Sequence, residues 1–274
     1  MIRYLSGIDL PPDHYHMPHS NSNVRFDLEH FFELLPDLMC IAGFDGYFKK
    51  INPAVSKTLG YTEAELLSKP ICNFIYHEDQ PMTARHRDLL LENIPLLNFE
   101  NRYVAKSGEI VWLVWTSMPV QNQQLVFAVA KNITYRKKLE EYHRIAQIIG
   151  SHASEKEPDT VGNYKNLSAA DQSWLDDLEK LIRKYTGKAD VNIKTLSYDM
   201  AISERQLYRR IKTITGITPN KYIRIIRLQL AHEAIKTGKY RTVSEISHAA
   251  GFGTPAYFNK LFKEVYNLNV GELL

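Results

Sequence analysis

Basic and aromatic side chains recur at helical spacing between Ser203 and Lys212. Residues three or four apart share one helix face, so Arg205, Tyr208, Arg209 and Lys212 would project together. An arginine such as Arg209 could donate two hydrogen bonds to O6 and N7 of guanine, whereas Lys212 suits a phosphate oxygen. This segment therefore has the chemistry to bind duplex DNA, although a solvated basic helix face would show the same pattern.

A second segment with related chemistry lies between Thr254 and Lys263. On a helix that begins near Thr254, the side chains of Ala256, Asn259 and Lys260 would face outward together with Lys263. The amide of Asn259 suits N6 and N7 of adenine, and Lys263 suits a phosphate. The sequence thus offers two surfaces of the same kind.

The two segments are repeats of one another at an offset of 51 residues. Leu207 aligns with Phe258 and Ile211 with Phe262, so the buried stripes coincide as well as the polar faces. An internal repeat of a two-helix unit is much more specific than a single amphipathic helix.

Helix start signals show which elements would hold these side chains. Ser203 with Gln206 three residues later forms a capping box, and Thr218 followed by Pro219 is typical of a further helix start. The expected elements are two helix-turn-helix units over about 191–215 and 241–266 and a linking helix over 218–237. A helix of about 20 residues is roughly 30 Å long, close to the ~34 Å between successive major-groove faces of a duplex.

Residues 178–274 resemble the AraC-type DNA-binding domain. The matching motifs are Ile217-Thr218-Pro219, Tyr222, Arg227 and Ala231, then Ile246-Ser247-His248-Ala249-Ala250-Gly251-Phe252 and Tyr257-Phe258-Asn259-Lys260-Leu261-Phe262-Lys263. The resemblance implies an all-α domain over 170–274 that binds double-stranded DNA, with RNA polymerase as a further partner. The implied base contacts are Arg205, Tyr208, Arg209, Ala256, Asn259 and Lys260, and the phosphate contacts are Ser203, Lys212, Thr254 and Lys263.

The region from Phe31 to Lys138 resembles a PAS sensor domain. The motifs, in the order of that family, are Asp45-Gly46, Gly60-Tyr61, Glu65-Leu66-Leu67, Tyr76-His77-Glu78-Asp79, Lys106-Ser107-Gly108-Glu109 and Asn132-Ile133-Thr134-Tyr135-Arg136-Lys137-Lys138. The resemblance implies an α+β fold over 26–135, an antiparallel sheet flanked by helices. The sensed ligand is not encoded in these motifs.

DNA binding itself requires no cofactor, and the PAS half leaves several alternatives open. It could bind a small ligand, act as a ligand-free protein-interaction module, or hold haem through His86 on a helix over 82–92. A flavin photosensor would need a cysteine within an Asn-Cys-Arg motif, which the segment around Cys72 lacks.

Residues 136–150 carry apolar side chains at the spacing of a short coiled-coil seam, namely Leu139, Tyr142, Ala146 and Ile149. One interpretation is a signalling helix that, with the PAS domain, forms a homodimer. The alternative is a helix that packs back on the sheet. A flexible tail (1–25) and a linker (151–169) are expected to flank these domains.

Composition limits the remaining function classes. The chain has 274 residues with a net charge of +3, and its part from Ala170 onward has 17 Lys and Arg against 11 Asp and Glu. The sequence shows no apolar run of ~18 residues, no secretory h-region and only two cysteines, so we expect a cytoplasmic protein with no membrane partner. No phosphate-binding glycine loop, nucleophile elbow or paired metal-binding histidine motif is present, so we expect no enzymatic activity and no metal site.

Overall fold

The computed structural model describes residues 28–150, 167–187 and 191–274. The expected tail (1–25) and all but the last three residues of the expected linker (151–169) lie outside these ranges.

The first half of the chain folds around an antiparallel sheet with the strand order β2-β1-β5-β4-β3. The strands are β1 (Leu38–Gly43), β2 (Phe48–Ile51), β3 (Leu96–Val104), β4 (Ile110–Val120) and β5 (Leu125–Asn132). Alternate residues of β4, among them Val111, Leu113 and Trp115, are buried on the face that the helices cover. The expected α+β fold class is therefore confirmed.

Four helices accompany this sheet, namely α1 (Leu28–Leu34), α2 (Pro53–Leu59), α3 (Glu63–Ser68) and α4 (Gln80–Leu91). A capping box of Thr62 and Glu65 fixes the start of α3. The buried side chain of Asn52 accepts a hydrogen bond from Met39 N at 3.0 Å and donates to the carbonyl of Asp37 at 2.9 Å. These contacts hold the entry to β1 against the end of β2.

The second half of the chain is helical. After α5 (Thr134–Gly150) come α6 (Ala169–Tyr185), α7 (Ile193–Asp199), α8 (Glu204–Thr215), α9 (Pro219–Lys236), α10 (Val243–Ala249) and α11 (Pro255–Tyr266). The pairs α7–α8 and α10–α11 are the two helix-turn-helix units, and α9 connects them. These helices share one hydrophobic core, which also includes α5.

The position of α5 differs from both interpretations of its apolar stripe. Leu139, Tyr142, Ala146 and Ile149 are at most 1% exposed and lie in the core of the helical half. In this conformation they are therefore neither a seam open to a second copy nor a face packed mainly on the sheet. The spacing identifies the apolar stripe, but it does not identify the surface that covers the stripe.

Candidate nucleic-acid interface and sensor cavity

The first helix-turn-helix unit presents α8 as its outer helix. The capping box of Ser203 and Gln206 is formed, with Gln206 N donating to Ser203 Oγ at 3.2 Å and Ser203 N donating to Gln206 Oε1 at 2.9 Å. Leu207, Ile211 and Ile214 are buried, so the opposite side of α8 faces solvent. The amphipathic pattern thus fixes which face of the helix is available to a ligand.

The solvent-facing side of α8 carries the residues expected to contact DNA. Arg205, Tyr208 and Arg209 are exposed, Ser203 is exposed at the helix start, and Lys212 is half-buried. Neither Arg205 nor Arg209 forms an ion pair with any residue that the structure describes. Their guanidinium groups therefore remain available for an external anion or a base edge.

The second unit presents α11 in the same way. Phe258, Phe262 and Val265 are buried, and four residues expected to contact DNA are exposed on this unit: Thr254, Ala256, Lys260 and Lys263. Asn259 is half-buried, and its Oδ1 is a buried atom without a hydrogen-bond partner in the structure. Bidentate reading of adenine would require this oxygen to turn outward, so Asn259 is less well placed for base contact than Lys260.

Helix α9 joins the two units and contacts both. Its 18 residues give a length of about 27 Å. The side chain of Arg227 donates to the carbonyl of Val191 before the first unit at 3.3 Å, and it lies beside Gly251 in the turn of the second. Gly251 has φ +75°, and an added Cβ would lie 3.2 Å from Arg227 Nε. Arg227 therefore ties both units to the linking helix.

A contact that sequence reasoning missed fixes α8 against α6. The guanidinium of Arg210 lies over the ring of Trp174 at 4.3 Å from the centroid and pairs with Asp171 at 3.6 Å. Arg210 stands among other basic residues in the sequence, and nothing local separates this packing residue from the solvent-facing arginines.

A buried carboxylate joins α5 to the helical domain. Glu179 of α6 lies 2.6 Å from Lys138 Nζ of α5 and 2.9 Å from Arg183 Nε. The hydroxyl of Tyr142 lies 3.1 Å from both Glu179 and Gln229, and its single proton can serve either oxygen. Burial alone would raise the pKa of Glu179, but the two cations outweigh it and hold that pKa below its usual range. Glu179 is thus ionised at neutral pH.

The PAS half contains a cavity of about 220 Å³ between the sheet and α4. Its lining is mostly apolar. Uncharged polar side chains are contributed by Gln80, Thr83, Asn101 and Ser117, and Asp45, His86 and Arg87 also line it. Asn101 is held by Trp115 Nε1, which donates to Oδ1 at 3.0 Å, and it donates to Thr83 Oγ1 at 3.1 Å. Such a cavity suits a small molecule with a few hydrogen-bonding groups.

The residues around the cavity do not fit haem. The cavity volume of about 220 Å³ is smaller than the volume of sites for drug-sized ligands, which is about 300–1,000 Å³. The ring of His86, the histidine considered as an axial ligand, is stacked on Phe99 at 4.2 Å between centroids. Burial raises the pKa of the Cys40 thiol to about 12, so this cavity-lining cysteine is a thiol at neutral pH.

Neither a group of metal ligands nor a membrane-spanning helix is found among the described residues. Within them, no His, Cys, Asp and Glu side chains are grouped closely enough to hold a metal ion. In the same ranges no helix combines the length and apolar character needed to cross a bilayer.

Comparison with known proteins identifies both halves. A helix-turn-helix domain family matches residues 196–274, and a PAS fold family matches residues 48–130. Histidine kinase P4 of Formosa agariphila is 31% identical over 101 residues, which are 37% of this chain and 7% of the relative. The HTH-type transcriptional activator RhaS of Escherichia coli is 30% identical over 78 residues, which are 28% of each chain.

Among solved structures, the PAS domain of an HTR-like protein from Haloarcula marismortui is similar, with 23% identity and a TM-score of 0.34 over 39% of this chain and 88% of that one. The chain spans less than a third of the length of the curated relatives named above. The matched families are regulator and sensor domains rather than enzymes. The chain combines an N-terminal PAS domain with a C-terminal helix-turn-helix domain of the AraC type.

Proposed function

We propose that this chain is a sequence-specific, DNA-binding transcription regulator whose two helix-turn-helix units read adjacent major-groove segments of one duplex. The PAS half receives the signal, through a small ligand or a second copy of the chain. Contact with RNA polymerase remains a prediction from the family resemblance.

The observation that carries the proposal is the repeated outer helix with exposed cations. Arg205 and Arg209 on α8 and Lys260 and Lys263 on α11 face solvent and form no ion pairs with described residues. Phosphate contacts supply most of the affinity for DNA, and groups such as the arginine fork supply base discrimination. The length of α9, about 27 Å, is somewhat below the ~34 Å between groove faces, but each unit adds its own width beyond the helix ends.

Selection of bound duplexes from a random pool tests this function directly. We expect enrichment of two short motifs whose centres lie about 10–10.5 base pairs apart, one for each unit. Enrichment of a single motif would contradict base reading by α11. Failure to enrich any sequence would refute sequence-specific binding.

Changing Arg209 to Ala is expected to weaken binding by on the order of 1–3 kcal/mol and to relax preference at one base position of the first motif. Lys180→Ala is the matched control, because Lys180 is an exposed cation on α6 whose side chain is 75% accessible. Fluorescence anisotropy on single-base variants of the selected duplex measures both effects. Equal weakening on every sequence would instead make Arg209 a phosphate contact.

We also propose that the PAS half forms the dimer contact, because α5 is buried in the helical core. Met118, Phe127 and Val129 are 36–49% exposed on the outer face of the sheet. Met118 and Phe127 pair directly across β4 and β5, so their side chains form a continuous apolar surface. A second copy is the occupant that we expect, since these three side chains remain exposed beyond the first turn of α5, which covers another part of the same face.

Sedimentation velocity tests this contact. Phe127→Lys is expected to shift the dimer to monomer, whereas Lys131→Ala, on the same strand face, is expected to leave it unchanged. A wild-type chain that is monomeric at all concentrations would refute the contact. Mass spectrometry of the native protein would show in parallel whether a small ligand is retained in the cavity.

A further inference from the structure

Helix α5 is attached to the PAS sheet at its first turn. Glu100 of β3 pairs with Lys137 at 2.7 Å and with Arg136 at 2.5 Å. Successive side chains of a strand point to opposite faces, and the neighbours of Glu100, Phe99 and Asn101, line the cavity. The start of α5 is therefore held by the residue that lies between two cavity-lining residues.

The remainder of α5 belongs to the helical domain. Five of its side chains are at most 1% exposed, namely Leu139, Tyr142, Ile145, Ala146 and Ile149. Tyr142 meets Tyr222 of the linking helix edge to face, with 5.6 Å between the ring centroids. Because the first turn of α5 contacts the sheet and the rest of α5 packs in the helical core, α5 cannot shift relative to one domain without disturbing its contacts with the other.

One side chain of α5 reaches the second outer helix. Both terminal nitrogens of Arg144 donate to the carbonyl of Val265 at 3.2 Å. Val265 lies in the last turn of α11, where the final four carbonyls of a helix have no partner within the helix. A cation at this end also interacts favourably with the helix dipole. Arg144 therefore supplies to α11 a terminal contact that its own sequence does not provide.

The guanidinium of Arg144 is oriented by its neighbour on α5. Glu141 accepts from Arg144 Nε at 2.7 Å and from a terminal nitrogen at 2.6 Å. This bidentate pair fixes the plane of the guanidinium, which directs the remaining N–H groups at Val265. Hydrogen bonding to Glu141 raises the pKa of Arg144, so the group is charged throughout the accessible pH range.

We infer that Arg144 is a positioning residue for the second recognition helix, through which the PAS domain sets the orientation of α11 on DNA. The inference rests on the proposed function, since it assumes that α11 reads the second motif. Arg144 itself does not contact DNA. Its effect is transmitted through the last turn of α11, so it concerns the second motif and not the first.

The test compares Arg144→Ala with Gln147→Ala, a control on the exposed side of the same helix. Affinity is measured on the selected duplex and on two derivatives in which the first or the second motif is scrambled. Because Arg144 is half exposed, we expect a loss of about two- to five-fold on duplexes that keep the second motif. On the duplex with a scrambled second motif, variant and wild type should bind equally, and Arg144→Lys should recover part of the loss.

A second measurement does not depend on DNA. Amide hydrogen exchange at residues 263–267 should become faster in Arg144→Ala and stay unchanged in Gln147→Ala, with no change in α8. Unchanged exchange there, or equal loss of affinity on all three duplexes, would overturn the role of Arg144. If the wild type selects no DNA but the exchange changes as expected, the proposed function fails while the contact between α5 and α11 stands.

Discussion

Replacing Glu179 by Gln is expected to lower the free energy of unfolding of the helical domain by about 1–3 kcal/mol. Hydrogen bonds to a charged group contribute about 1.5–3 kcal/mol each, and Glu179 is close to Lys138, Arg183 and Tyr142. Removing one partner of a fully buried ion pair costs about 3–5 kcal/mol. The side chains of Lys138 and Arg183 are each 30% exposed and regain water after the change, which places the cost below that range.

Urea unfolding followed by circular dichroism at 222 nm measures this change, because the helical half contributes most of the helix signal. Asp177→Asn is the matched control on the same helix. The pair of Asp177 with Lys180 is exposed at both ends, so this substitution should alter stability by no more than about 0.5 kcal/mol.

The pH dependence separates the charge of Glu179 from its packing. A carboxylate whose pKa is lowered in the folded protein stabilises it above the unfolded pKa of 4.5, and that contribution is lost as the pH falls through the folded value. The difference between wild type and Glu179→Gln should therefore be constant above about pH 5 and shrink below pH 4.5. A difference that does not depend on pH, or no difference at pH 7, would refute an ionised carboxylate as the stabilising group.

Two further predictions concern the C-terminal half. Lys263→Ala should reduce the slope of log affinity against log salt concentration by about one unit without changing base preference. Binding titrations at several salt concentrations measure this slope. An unchanged slope would contradict a phosphate contact. Burial lowers the pKa of His232, which stacks on Tyr266 at 4.5 Å with Lys236 and Glu233 beside it. His232 therefore binds a proton more tightly in the unfolded chain than in the folded one. The free energy of unfolding should fall as the pH drops below about 6.5. His232→Gln should abolish this decline between about pH 7 and 5.5 in urea unfolding, and a variant that keeps the wild-type slope would exclude His232 as its source.

The outer helices of the two units could be derived from the sequence because their signals are local. A capping box such as that of Ser203 and Gln206 involves four consecutive residues, and a buried stripe such as Leu207 and Ile211 needs only one helix turn. These features depend only on residues within one or two turns of the same helix. The sequence predicts that Asn259 faces outward, but its side chain is half-buried, because the environment of its Oδ1 depends on packing between helices.

Strand β3 shows how an irregularity conceals an element from sequence reasoning. Its pairing with β4 shifts register between Leu96 and Phe99, and Asn98 has φ +57°. The bulge interrupts the alternation of apolar and polar residues that identifies a strand. Contacts such as Arg210 with Trp174 are hidden for a different reason, since they join residues 36 positions apart.

The burial of α5 decides how a signal in the PAS domain and DNA binding would influence one another. If the cavity and α11 are coupled through Glu100, α5 and Arg144, the coupling is a free energy that belongs to both binding events. A ligand that changes affinity for the second motif by some factor must then bind the DNA complex with affinity changed by the same factor. Glu100 makes two partly exposed ion pairs, and Arg144 makes one contact with Val265, each worth about 0.2–1 kcal/mol. A coupling carried by these three contacts alone therefore cannot exceed roughly 150-fold. A larger response to the signal would require α5 to leave the helical core, which would expose its five buried apolar side chains.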